Sequence, residues 1–180
     1  MHNNSNVVPL ILRPHLVSFL LKEMVGEERT YAGYKCKILD IPKRSYLYDF
    51  LLQRIENTDY PILNINSFNI YLDIKASSRK RFIAKGKFFQ VQAMGKKFVY
   101  LPPEYTEEVN DLFEQLFRTT FYSYVTAKAD NNEQITAAIL SFIDKYELFE
   151  AGISQPQLRQ LYYRIKESGI CASIQGKLKR

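Results

Sequence analysis

At Pro102-Pro103 the apolar pattern of this chain changes period, and that change limits what can form on either side. Upstream, apolar residues tend to alternate: Ile70, Leu72 and Ile74 are separated by Tyr71 and Asp73. Downstream they recur every three to four residues, as Val109, Leu112, Phe113, Leu116, Phe117 and Phe121. A period of two suits strands with one face covered, and a period near 3.6 suits helices with an apolar stripe. The expected class is therefore α+β. Residues 1–101 form an α+β half with mixed strands, short helices and a β-hairpin, and residues 102–180 form a helical half with three helices.

The first half reads as follows. Residues 7–12 (VVPLIL) form an edge strand, because Pro9 lacks the N–H that a central strand needs. His15 to Met24 is a short helix behind Pro14, with Leu16, Phe19, Leu20 and Met24 near one face. Val25 to Gly33 is a charged turn. Tyr34 to Leu39 alternates as a strand. Ser45 opens a helix to about Asn57, with Leu47, Phe50, Leu51 and Ile55 at helical spacing. Residues 61–75 are extended. KFFQVQA and KFVYLP form a hairpin around Gly95, where the turn needs positive φ.

In the second half, Thr106 starts a helix whose opening acids complement the helix dipole. Asn131 or Asn132 caps a second helix, which buries Ile135, Ile139, Phe142, Ile143 and Tyr146 and breaks at Ala151-Gly152. Ser154 caps a third helix, with Pro156 in its first turn and Gly169 at its end.

Charge is unevenly spread along this frame. Residues 74–103 carry eight Lys or Arg and no acid; 104–153 carry ten acids and three bases; 154–180 carry six bases and one acid. The net charge is +6. Two basic stretches flanking an acidic one offer two surfaces for an anionic partner, of which nucleic acid is a common one. The basic middle holds Lys75, Arg79, Lys80, Arg81, Lys85, Lys87, Lys96 and Lys97, interleaved with Phe82, Phe88, Phe89 and Phe98. Cations beside stackable rings suit single-stranded nucleic acid, and lysines on an edge hairpin also block unwanted strand pairing. The basic end closes on Lys177, Lys179 and Arg180, a cationic tail that adds affinity through counterion release or is merely solvated.

In the last helix Leu158, Leu161, Tyr162 and Ile165 face inward, leaving Gln155, Gln157, Arg159, Gln160, Tyr163, Arg164 and Lys166 outward. Gln can read adenine and Arg guanine in the major groove. With the Gly-containing turn and the helix before it, residues 133–168 resemble the helix-turn-helix units of transcription regulators and of phage or mobile-element DNA-binding proteins. The resemblance covers about a fifth of the chain and rests on shape and composition. It implies base contacts from the N-terminal part of the last helix. The alternative for the same residues is a solvated amphipathic helix closing a bundle.

Chemistry beyond binding has little to stand on. Cys36 and Cys171 fit no metal spacing, and His2 and His15 do not complete a zinc site with them, so no metal or cofactor is expected. Glu104, Glu107, Glu108, Asp111 and Glu114 share one helix opening, where dipole compensation accounts for them better than a paired acid and base. No P-loop, GxGxxG or Ser/His/Asp signature occurs, and catalytic residues are therefore not expected. No stretch reaches the length of a membrane span, and two separated thiols suit a reduced compartment, so a soluble cytoplasmic protein is expected. Composition, 46% apolar and 14% aromatic with thirteen Tyr and no Trp, is rich enough for a core; much of the Tyr, Phe, Asn, Ile and Lys excess suits an AT-rich genome.

The leading expectation is a non-enzymatic DNA-binding protein (RNA being the other nucleic-acid candidate), serving a phage or other mobile element in a regulatory or accessory role. The alternative is a protein-interaction or assembly module. It would use the rings of the acidic helix, Tyr105, Phe113, Phe117, Phe121, Tyr122 and Tyr124, or pair acidic helix with basic hairpin in a homodimer.

Overall fold

A computed structural model describes residues 6–31, 33–58, 68–74 and 98–169. These fall into two compact units, divided after Leu12, Glu23 and Thr106.

Among the described residues, the first unit holds six strands: β1 (Val7–Leu10), β2 (Gly26–Tyr31), β3 (Tyr34–Asp40), β4 (Glu56–Thr58), β5 (Ile70–Asp73) and β6 (Phe98–Tyr100). One sheet has the order β1-β5-β3-β2. Its β1–β5 and β2–β3 pairs are antiparallel and its β3–β5 pair is parallel. Pro9 sits on an edge strand, as its missing donor requires. Asn69 extends the β1–β5 pairing: it accepts from Leu12 N at 2.9 Å and donates to Leu12 O at 2.7 Å. β4 and β6 make a separate antiparallel pair.

Three expectations fail in this unit. Residues 25–33 are not a turn, because Gly26–Tyr31 pairs along its whole length with β3. Its charges are accommodated individually: Glu28 lies opposite Lys37, and Arg29 turns inward to carboxylates. The observed hairpin is β2–β3, closed through Gly33 at φ +91°. β5 does not alternate in exposure; all four residues are buried, since it runs between two partner strands. The helix after Ser45, α2 (Tyr46–Leu52), stops five residues early. Arg54 N and Ile55 N both turn back to Leu51 O, and the chain leaves as β4. Of the hairpin expected around Gly95, Lys87–Lys97 lies outside the described residues, and Phe98–Tyr100 pairs with β4.

The second unit is helical: α1 (Pro14–Glu23), α3 (Thr106–Asp130), α4 (Ile135–Tyr146) and α5 (Gln155–Ser168). α1 therefore belongs with the C-terminal helices and not with the first hundred residues. It brings Leu16, Phe19 and Leu20 to their core. α3 contributes Val109, Phe113, Phe117, Phe121 and Val125 at four-residue steps. Leu116, expected inside, is 48% exposed. Phe142 of α4 is the hub, with rings of Phe117, Phe121, Tyr124 and Tyr146 at 5.8, 5.1, 5.3 and 4.5 Å between centroids. Edge-to-face and tilted pairs of this kind add to simple area burial.

Asn131 and Asn132 do not cap α4. Asn132 (φ +64°) takes the left-handed position that closes α3: Asn132 N bonds Ala129 O and Glu133 N bonds Lys128 O. Glu147 (φ +54°) closes α4 the same way, and Gly152 (φ +78°) closes one further turn from Leu148. Asn fills such a site at little cost because its short polar side chain tolerates the conformation. No described helix is long and apolar enough to cross a membrane.

Candidate nucleic-acid interface

α5 is built to hold one face inward and present the other. Ser154 and Gln157 form a capping box, with Ser154 N donating to Gln157 Oε1 at 2.7 Å, and Pro156 occupies the first turn. Leu158, Tyr162 and Ile165, at i, i+4 and i+7, are buried, and Leu161 is half-buried. Tyr162 stacks on Tyr122 of α3, 5.5 Å between centroids at 28°. This packing fixes the helix's rotation, so the opposite face is set as well.

On that face Arg159, Gln160, Tyr163, Arg164 and Lys166 are exposed. Of the two further residues expected outward, Gln157 is on the exposed side and Gln155 is not. Gln155 is half-buried, and Gln157 is exposed with its side-chain oxygen held by the cap. The Arg159 guanidinium lies 6.0 Å from the Tyr163 ring centroid, at the limit of a cation–π contact.

What distinguishes the face is how its charges compare with their neighbours. The described part of the helical unit has eight Lys or Arg. Arg13, Lys22, Arg118, Lys128 and Lys145 are each ion-paired. Arg159, Arg164 and Lys166 have no ion pair among the described residues. Among the described residues, the unpaired cations of this unit are thus gathered on a single helix face. Unneutralised charge is what an anionic ligand meets.

Three of the acids at the start of α3 are spoken for. Arg13 Nη2 donates to Glu107 Oε2 at 3.1 Å and to Asp111 Oδ1 at 3.0 Å. Glu114 accepts from His15 Nε2 at 2.9 Å and from Arg118 Nε at 2.9 Å. Burial pushes the Glu114 carboxyl up, but its bonds to His15 and Arg118 outweigh that and hold it at about 2. Local sequence rules assign these carboxylates to the helix dipole and leave His15 without a partner. The signal they lack is tertiary, because ninety-odd residues separate Arg13 and His15 from the acids they meet. A second ion cluster lies in the sheet unit. Arg29, its side chain 10% exposed, reaches Asp73 at 2.5 Å, Glu27 at 3.3 Å and Asp40 at 3.4 Å. No group of three or more His, Cys, Asp or Glu among the described residues is placed to hold a metal ion.

The rings of α3 do not form a free face. Phe113, Phe117 and Phe121 are buried, Tyr122 lies against Tyr162, and Tyr124 shares a hydrogen bond with Ser141 at 2.9 Å. The connection from α4 to α5 runs from Glu147 to Ser154, eight residues, against three or four in a compact helix-turn-helix. Its one-turn insert is pinned by the buried Leu148. The basic middle (Lys75, Arg79, Lys80, Arg81, Lys85, Lys87, Lys96 and Lys97) and the tail after Gly169 lie outside the described residues.

Comparisons with protein-family models, with curated proteins and with solved structures return no match for this chain.

Proposed function

We propose that this chain is a non-enzymatic nucleic-acid-binding protein that meets DNA through the outer face of α5. The observation that carries the reading is the segregation of charge in the helical unit, where five described cations are ion-paired and the three left over share α5's exposed face. Arg159, Arg164 and Lys166 would neutralise phosphates, while Gln160, exposed beside them, has the donors and acceptor to contact a base edge. The basic segment 75–97 and the tail add cationic sequence that would contribute to the same affinity. Of the acids at the α3 opening, Glu107, Asp111 and Glu114 are engaged by Arg13, His15 and Arg118.

Fluorescence anisotropy of labelled duplex DNA across a salt series tests this. The wild type should bind at low salt and weaken steeply with log salt. An Arg159→Ala/Arg164→Ala/Lys166→Ala variant should bind more weakly at every salt concentration. Absence of binding at low salt, or equal binding by the two proteins, would remove the assignment.

A further inference from the structure

The sheet unit carries a second candidate site, made of residues other than those assigned above. Tyr46, at the start of α2, is 75% exposed. Its ring centroid lies 6.3 Å from that of Phe50, with the planes 34° apart. The Arg54 guanidinium sits 3.7 Å from the Phe50 centroid and 5.9 Å from that of Tyr105, and is tied to the helix by a 3.1 Å bond from Nη1 to Phe50 O. Tyr46, Phe50, Arg54 and Tyr105 therefore form a ladder of rings and a cation. Most of the ladder is half-buried; its Tyr46 end is open to solvent.

Just before that end the chain turns through Pro42–Ser45, closed by Ser45 N to Pro42 O at 3.2 Å. Lys43 and Arg44 occupy its two corner positions, and Arg44 has φ +71°. Both are exposed and have no ion pair among the described residues. The acid on α2 is Asp49, so the net charge of 43–54 stays positive. A lone exposed tyrosine is ordinary. One that ends a ring–cation ladder beside two unpaired cations offers a π-face and phosphate partners together, the combination used to hold unstacked bases.

We infer that Tyr46 is a stacking platform for a base of single-stranded nucleic acid, with Lys43 and Arg44 taking the adjoining phosphates. The inference rests on the nucleic-acid reading above, and it adds the form of ligand and a site in the other unit.

The test uses the full chain with three labelled probes: an oligothymidine, an abasic strand of equal length and a duplex. Tyr46→Ala should bind the oligothymidine about tenfold more weakly than wild type, with duplex and abasic binding unchanged. Tyr46→Phe should bind as wild type does, since it keeps the ring. Lys43→Ala/Arg44→Ala should lower the salt dependence on both single strands. Tyr46 is exposed, so an unchanged melting temperature for Tyr46→Ala would confirm that it folds. Wild-type affinity of Tyr46→Ala for oligothymidine would overturn the inference. So would equal wild-type affinity for the abasic strand, or displacement of oligothymidine by polyglutamate as readily as by unlabelled strand; the last outcome would point to an acidic protein. If the α5 variant loses duplex binding while Tyr46→Ala changes nothing, this inference falls and the α5 reading stands. Failure of the wild type to bind any probe at low salt would overturn both.

Discussion

Gly26 lies opposite Leu39 where β2 begins, and a Cβ there would sit 2.6 Å from Ile38 O and 2.8 Å from Leu39 Cδ2. The nearer atom is backbone of the paired strand and cannot rotate away. Gly26→Ala should therefore destabilise the sheet unit by about 1–3 kcal/mol, the usual range for overpacking. A lower denaturation midpoint with an unchanged denaturant slope would be the signature. Glu147 presents the opposite case: its backbone is left-handed at φ +54°, where glycine is at ease. Its 2.6 Å pair with Lys22 is between exposed groups and contributes little. Relief of the backbone cost is partly offset by the greater freedom of glycine in the unfolded chain, so Glu147→Gly should gain roughly 0.5 kcal/mol. A small rise in melting temperature would bear this out; a fall would show that the Lys22 pair outweighs the backbone.

At the scale of elements, the α1–α3 pair is fastened by Glu114, whose partners come from both helices and the residue before α1: His15, Arg118 and, at 3.5 Å, Arg13. The folded carboxyl sits near 2, below its ordinary 4.5, so between those values the unfolded chain binds more protons than the folded one. The resulting stability is complete above about pH 4.5 and is lost as pH falls through about 2. After discounting for solvent screening it amounts to about 1–2 kcal/mol. Glu114→Gln should lower the melting temperature at neutral pH and flatten its fall in acid; a parallel fall in both proteins would assign the acid sensitivity elsewhere. Such pairings also show which parts of the fold were legible in the sequence. Pro9 at an edge, the Ser154 cap, Gly169 after the last helix and the buried stripe of α5 rest on local rules, and all four could be read directly. β2 could not, because GEERTY is a strand only once Arg29 meets Asp40 and Asp73, 11 and 44 residues away. α1's place among the C-terminal helices was hidden for the same reason. The outward face of α5 followed from periodicity, whereas the unpaired state of its cations is visible only when the other described cations of the unit have found their acids.

For the whole molecule, the division between paired and unpaired cations makes a prediction that total charge does not. The net charge of +6 treats all Lys and Arg alike, and so would a general polyanion-binding mechanism. Replacing Lys22, Lys128 or Lys145 removes one positive charge and breaks an exposed or half-buried ion pair, leaving Glu147, Glu133 or Glu23 behind. Such a variant should change melting by a small amount and leave the slope of log K against log salt nearly as it was. Replacing Arg159, Arg164 or Lys166 removes the same charge but breaks no pair. Melting should stay put while the slope on duplex DNA falls by about 0.9 for each phosphate that is no longer neutralised. For the triple variant the fall should approach about 2.7, with less on a single strand, where each phosphate contributes about 0.7. The two sets should therefore separate on a plot of slope against melting temperature. If both instead lower the slope equally, the protein is attracting DNA by net charge alone, and α5 has no privileged role.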